Sequence, residues 1–288
     1  MSTLPPRPDP SLELRHPVLL AAFEGWNDAG DAATSAIEHL EGEWAAEPVA
    51  AVDPDDYYDF QVNRPMVQLV DGLTRKITWP TTRVSVCRPP GAERDVVLVR
   101  GVEPNMRWRG FCLELVEISA QLGVEMVVTL GALLADSPHT RPVPVSGTAS
   151  DPETAAELRL EASRYEGPTG IVGVFQDACT QTGMRAVSFW AAVPHYVATP
   201  PCPKATIALL RRVEDLLDIP VPLGDLPERA RAWERQVDEL AAEDSDVAEY
   251  IASLEEREPE TDLPEASGEA IAKEFERYLR RRDEPPGR

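Results

Sequence analysis

The chain has 288 residues, of which 43% are apolar and 27% charged, values that exclude a disordered or collagen-like chain. Its 50 acidic and 28 basic residues give a formal net charge of −22. Such a charge repels phosphate backbones and anionic lipid, so we expect neither nucleic acid nor a membrane as a partner.

The first part of the chain predicts a strand, a helix and a second strand. Residues 1–15 are rich in proline and polar side chains and predict a disordered leader. The apolar run at 18–23 is typical of a strand that is buried on both faces. Asp28 then suits the N-cap of a helix. A short strand is predicted at 47–52.

The middle of the chain changes its pattern twice. Residues 57–100 are rich in β-formers, and turn pairs such as Asp71-Gly72 predict an antiparallel hairpin excursion from the main sheet. A buried strand is predicted at 95–99. Apolar residues at spacings of three and four then predict a helix over 108–122.

The following segments repeat the alternation of strands and helices. Strands are predicted at 124–130, 169–175 and 186–192, and helices at 153–165 and 203–217. This alternation predicts an α/β core domain over residues 16–220, with a mainly parallel sheet flanked by helices.

The C-terminal residues 221–288 form a segment of different composition, with 20 acidic and 10 basic residues. Apolar residues recur at heptad spacing over 226–254, with one polar position at Asp244. A shorter apolar stretch at 271–278 is the expected partner, and 259–268 the turn. We therefore predict an acidic C-terminal helical hairpin. The part of the apolar seam without a partner in the hairpin must cover the α/β core or a neighbouring subunit, and we expect a closed homo-oligomer.

A candidate binding site is predicted at the sheet edge where the parallel strands end, since open α/β sheets bind ligands there. The polar side chains in those loops are Glu24, Asn27, Asp28, Glu103, Asp136, His139, Arg141 and His195. The acid, imidazole and guanidinium groups of the loop at 136–141 could bind an anion or support acid–base chemistry. Glu24, Asn27 and Asp28 could hold a ligand hydroxyl or a cation. Helix capping and hydrogen bonds within the loops would equally explain several of them.

Neither a metal nor a cofactor is expected. The cysteines Cys87, Cys112, Cys179 and Cys202 lie far apart without a CxxC pair, which is typical of buried reduced thiols. The histidines are too scattered for metal-ligand spacing. No apolar run reaches the roughly 18 residues of a membrane span, and no signal peptide pattern is present, so we expect a soluble cytoplasmic protein.

Several segments together resemble one known family. They read GWNDAG at 25–30, TLGALLAD at 129–136, PHTR at 138–141, YEGPTG at 165–170 and WAAVPHY at 190–196. These segments resemble the PAC2 family, named for a proteasome assembly chaperone, and its actinobacterial branch in particular. The likeness runs from about residue 18 to 282.

The resemblance implies an α/β core similar to the nucleoside-phosphorylase and peptidyl-hydrolase type. It also implies self-assembly, with a trimer preferred, and proteasome subunits as partners. Relatives that dock on proteasomes can end in a hydrophobic residue, tyrosine and any residue, whereas this sequence ends in Pro-Pro-Gly-Arg. Docking through such a tail is therefore not expected, and the resemblance points to no catalytic residue.

Two functional hypotheses follow from these observations. The first is a non-enzymatic protein-binding or assembly-chaperone-like protein, with a link to proteasome assembly. The alternative is a small-molecule hydrolase or phosphorylase that uses a pocket at the carboxyl ends of the strands.

Overall fold

Ten strands and eight α-helices make up the computed structural model, which describes residues 5–70, 72–162, 166–197 and 199–256. The strands are β1 (Val18–Glu24), β2 (Glu47–Ala51), β3 (Met66–Val70), β4 (Thr74–Thr78), β5 (Arg83–Cys87), β6 (Val96–Val102), β7 (Met126–Ala135), β8 (Val145–Ala149), β9 (Glu161–Ala162) and β10 (Arg185–Pro194). The helices are α1 (Ala32–Glu43), α2 (Pro54–Tyr57), α3 (Trp108–Gln121), α4 (Pro152–Leu158), α5 (Ile171–Gln181), α6 (Pro203–Leu217), α7 (Leu226–Glu243) and α8 (Ser245–Glu256).

A single eight-stranded sheet, in the order β2-β5-β6-β1-β7-β10-β8-β9, organises the core. The strands β6, β1, β7 and β10 run parallel at its centre, while β5 and β8 pair antiparallel with the outer two of them. All of β1 before Glu24 is buried, as expected for a strand that is covered on both faces. The predicted α/β fold with a mainly parallel sheet is confirmed.

Helices cover both faces of this sheet. On one face, α1 and α6 pack against the apolar side chains of β1, β6, β7 and β10, and α7 packs outside α6. On the other face, α3 and α5 pack together, with Phe23 of β1 between Phe111 and Phe175. The four cysteines are buried free thiols, as predicted.

The prediction of a strand at 169–175 is wrong, because these residues begin the helix α5. Ile171, Phe175 and Cys179 are buried at spacings of four, which is the period of a helix that packs through one face. The β-branched run Ile171-Val172 hid this period, since it also suits a buried strand.

The predicted helix at 153–165 is shorter in the structure. It ends at Leu158 because Arg159 adopts a left-handed conformation with φ 54°, and the two-residue strand β9 follows. Residues 163–165 lie outside the described residues. The strand β8 before this helix was not predicted.

The predicted hairpin excursion is present as β3 and β4, which pair antiparallel in a separate two-stranded sheet. The segment 5–15, predicted as a disordered leader, contacts the core instead. The amide of Ala51 donates to the carbonyl of Pro5, Arg7 pairs with Glu117, and Arg15 pairs with the buried Asp95. These contacts hold the segment against the sheet and α3.

The apolar seam at 226–254 is divided into the two helices α7 and α8. The division falls at Asp244, the polar position in the heptad pattern. Asp244 is extended, and its carboxylate accepts hydrogen bonds from the amides of Asp246 and Val247. A side chain that bonds the amides ahead of it begins a new helix. Trp233 and Val237 pack into the core cluster that α1 and α6 also form. The expected partner at 271–278 lies outside the described residues.

Replacing Leu115 tests the packing of α3 on the sheet. Leu115 is fully buried, so Leu115→Ala should lower the free energy of unfolding by about 2–5 kcal/mol. Leu113 on the same helix is 51% exposed, and Leu113→Ala is the matched control with a change of under about 0.5 kcal/mol. Equal melting temperatures for the two variants would contradict the assignment of the buried face.

Candidate functional site

The loops after the central strands meet at one edge of the sheet, which we call the carboxyl edge. Glu24 ends β1, and Glu103, Asp136 and His195 directly follow β6, β7 and β10. The parallel register pairs the last residues of β1 with those of β6, and the last residues of β10 with those of β7. The candidate side chains therefore lie along one edge, where they form two separate groups.

The first group joins the loops after β1 and β6 to the start of α5. The Glu103 carboxylate accepts hydrogen bonds from Asn27 Nδ2 at 3.0 Å and from the amide of Ile171 at 2.9 Å. A carboxylate is favourable at this position because the amides of a helix N-terminus lack partners of their own. Gly170 is required beside it, since a Cβ there would lie 2.1 Å from Asn27 Nδ2.

Asp28, in the same group, is buried and holds the beginning of α1. Its carboxylate accepts from the amide of Ala33 at 2.6 Å, from the amide of Thr34 and from the Thr34 hydroxyl. Burial raises the pKa of Asp28 to about 6, although these hydrogen bonds act in the opposite direction. The N-cap position of α1 is occupied by Asp31, not by Asp28 as predicted, but the hydrogen bonds of Asp28 to the first turn of this helix account for its side chain.

The second group centres on His139, whose side chain is 2% exposed. Its amide donates to the Tyr196 hydroxyl at 2.7 Å, and its Nδ1 is hydrogen-bonded to the same hydroxyl at 2.8 Å. Its Nε2 lies 3.0 Å from Asp238 Oδ1 on α7, and its ring meets Trp233 of that helix edge-on. His139 therefore connects the loop after β7 to the C-terminal helices.

The neighbouring side chains make a similar connection to α8. His195 Nδ1 lies 3.2 Å from Asp136 Oδ1, and its ring meets Tyr250 of α8 with the centroids 5.1 Å apart. The Thr140 hydroxyl donates to Glu255 at 2.6 Å, and Arg141 donates to the Glu255 carbonyl. We refer to the contacts of residues 136–141, 195 and 196 with α7 and α8 as the C-terminal network.

The predicted site residues other than Glu24 use their polar side chains for contacts within the chain, whereas Glu24 is exposed at the end of β1. Two cavities, of about 570 and 330 Å³, lie at the amino ends of the parallel strands, and no predicted site residue lines either of them. Within the described ranges, no three His, Cys, Asp or Glu side chains are grouped as a metal would require. No helix in those ranges is long and apolar enough to cross a membrane.

Several residues of the C-terminal network were not predicted, among them Tyr196, Asp238, Tyr250 and Glu255. Asp238 and Glu255 are two of many acidic residues in an acidic tail, and no local pattern separates them from the rest. Their partners lie about 100 or more positions away in the sequence, so the pairing becomes visible only in the fold.

Comparisons with known proteins identify the relatives of this chain. The model of the PAC2 family matches residues 22–241. A PAC2 family protein from Streptomyces avermitilis is 65% identical with a TM-score of 0.77, covering 82% of this chain and 99% of the other. A proteasome-assembly chaperone homologue from Mycobacterium tuberculosis is 62% identical with a TM-score of 0.75, covering 81% and 99%. No match was found among curated proteins.

A more distant comparison concerns the fold alone. An archaeal proteasome activator from Pyrococcus furiosus is 18% identical with a TM-score of 0.63, covering 80% of this chain and 95% of the other. The two actinobacterial structures confirm the resemblance that the sequence segments predicted.

Removing the Tyr196 hydroxyl tests the C-terminal network. Tyr196→Phe leaves the buried amide of His139 without its partner, which costs about 1–3 kcal/mol, and should raise hydrogen exchange in α7 more than in β1. Tyr57→Phe is the matched control, because its hydroxyl bonds Glu114 on the opposite face of the sheet. Equal exchange in α7 for the two variants would show that the network does not hold this helix.

The pH dependence of stability tests the burial of Asp28. Its pKa of about 6 in the folded chain exceeds the value of about 4 expected in the unfolded chain, so the folded state binds the proton more tightly. The contribution of Asp28 to stability is therefore greatest below pH 4 and declines as the pH rises through 6. The difference in unfolding free energy between wild type and Asp28→Asn should fall by about 2–3 kcal/mol from pH 4 to 7. A constant difference would contradict the raised pKa.

Proposed function

The chain belongs to the PAC2 family, and we propose that it is a non-enzymatic, assembly-chaperone-like protein that binds proteasome subunits. The observation that carries the proposal is its 62% identity to a proteasome-assembly chaperone homologue, across 99% of that protein. Identity at this level over a whole chain supports a shared type of function as well as a shared fold.

The geometry of the carboxyl edge supports a binding role over a catalytic one. Asp28, Glu103 and His139 are each engaged by amides or side chains of the same chain. A general acid or base needs a free position within hydrogen-bond distance of a substrate. No specific observation in the described part of the chain favours the alternative of a hydrolase or phosphorylase.

We also propose that the chain forms a closed homo-oligomer, with a trimer preferred from the resemblance. Large apolar side chains are exposed in β3, β4 and the turn between them, for example Leu69 at 65% and Leu73 at 89%. An apolar patch of this kind favours association with closed symmetry. The net charge of −22 opposes association only at long range, because salt screens it beyond about 8 Å.

Affinity capture tests the binding of proteasome subunits. The tagged full chain, expressed at its natural level in its own cells, should recover α- and β-subunits of the 20S proteasome. Binding should then be reproduced with the purified chain and purified subunits by size-exclusion chromatography.

An unrelated protein of similar size and negative charge is the control for electrostatic capture. Recovery of the chain alone, together with no complex between purified components, would contradict the proposal.

A further inference from the structure

The β3–β4 hairpin extends from the sheet with its apolar side chains uncovered. All five residues of β3 are exposed, and Met66, Val67 and Leu69 are each more than half exposed. Phe60 and Trp79 flank the hairpin and pack together at its base, with their ring centroids 4.8 Å apart. Among the described elements, β3 and β4 pack extensively only on each other.

The register separates the two faces of the hairpin. Val67 pairs with Ile77 and Leu69 with Arg75, so these four side chains share one face. On this face Val67 is 57%, Leu69 65% and Ile77 52% exposed. The opposite face carries Gln68 and Lys76 and is more polar. We refer to Val67, Leu69, Arg75 and Ile77 as the hairpin face.

A two-stranded ribbon is marginally stable in water unless an apolar face packs against something. Three large side chains at half exposure or more, with Leu73 at the turn, present on the order of several hundred Å² of apolar surface. A specific interface buries about 800 Å² on each partner. The hairpin face is therefore large enough to form the centre of a specific interface.

The charge of the hairpin differs from that of the rest of the chain. Within residues 66–78 the hairpin carries the basic residues Arg75 and Lys76 and one acidic residue, Asp71, which is a formal net charge of +1. The whole chain nevertheless has a formal net charge of −22. A basic apolar face is complementary to an acidic apolar surface. The chain itself also carries an acidic apolar surface.

That acidic surface is the junction of α7 and α8. Leu240 is 60% exposed on α7. The exposed acidic side chains around it are Asp238, Glu239, Glu243, Asp244 and Asp246. We refer to residues 238–246 as the acidic junction.

We propose that the hairpin face of one copy binds the acidic junction of a second copy, with Leu69 and Leu240 as the apolar contacts and Arg75 against the acidic side chains. This inference rests on the proposed homo-oligomer and names its interface. The two surfaces differ, so the contact is heterologous and closes into a ring when its rotation allows. A symmetric contact between two hairpin faces would instead bring Arg75 of each copy into an interface without an acidic side chain on the hairpin face to pair with it.

Sedimentation equilibrium of the full chain tests the contact. Leu69→Asp places a negative charge on the hairpin face and should raise the dissociation constant of the oligomer about tenfold or more. Leu113→Asp is the matched control, because Leu113 is 51% exposed on α3, away from both surfaces, and should associate as wild type. Thermal melts establish that both variants are folded.

A charge exchange tests the acceptor surface. Arg75→Glu with Lys76→Glu should weaken association, and Glu239→Lys with Glu243→Lys should weaken it as well. Mixing the two variants should restore association between unlike chains, since each then supplies the charge that the other lacks. Failure of the mixture to associate more tightly than either variant alone would overturn the assignment of the acidic junction.

The outcomes separate this inference from the proposed function. If wild type self-associates and Leu69→Asp does so equally, the inference is overturned while the homo-oligomer stands. If wild type is monomeric at micromolar concentration, the homo-oligomer is overturned and this interface with it. The binding of proteasome subunits is measured independently in the capture experiment.

Discussion

The parallel pairing of β6, β1, β7 and β10 is the constraint on which the rest of the structure depends. It brings the carboxyl ends of these strands, and the loops that follow them, to one edge of the sheet. Polar groups that become buried at this edge need hydrogen-bond partners, since an unpaired buried group costs about 1–3 kcal/mol. At the beginning of α5 the hydrogen-bond partner is Glu103, and at the beginning of α1 it is Asp28. For the C-terminal helices the partner is His139. The edge where an α/β enzyme usually binds its substrate is used here to hold the chain together.

Sequence reasoning located this edge because the strands and turns that form it are marked by local signals in the sequence. The buried strand runs, the turn residues after them and the helical spacing of α3 are each visible within a window of a few residues. The assignment failed at 171–175, where Ile171 and Val172 suit a strand as well as a helix and only burial at Phe175 and Cys179 separates the two. It could not foresee the C-terminal network either. The pairing of His139 with Asp238 spans 99 positions, and its choice among the many acids of the tail is made by tertiary packing.

The C-terminal seam has the cover that one of the two sequence-based alternatives gave it, the α/β core, while the expected partner at 271–278 lies outside the described residues. The heptad spacing of 226–254 predicted a helical surface in need of cover, and Trp233, Val237, Ile251 and Leu254 are indeed buried. For α7 the cover comes from the core cluster on α6, which a short loop places beside it. The α/β core therefore covers much of the surface that first suggested an oligomer. A chain that ended at Val221 would lack Leu226, Trp233 and Val237 and would expose the apolar residues of the cluster that they cover, so its association state would not report on the native interface.

Self-association must therefore use surfaces that the fold leaves open. The seam contributes only Leu240 to the exposed apolar side chains, whereas the hairpin contributes most of the others. The hairpin is basic where the tail is acidic, and this asymmetry favours contact between unlike surfaces of two copies over contact between like surfaces. Contact between unlike surfaces leaves one hairpin and one acidic junction unpaired in every open chain of copies. Ring closure satisfies both, which is the physical reason to expect a closed oligomer from a chain with this distribution of charge.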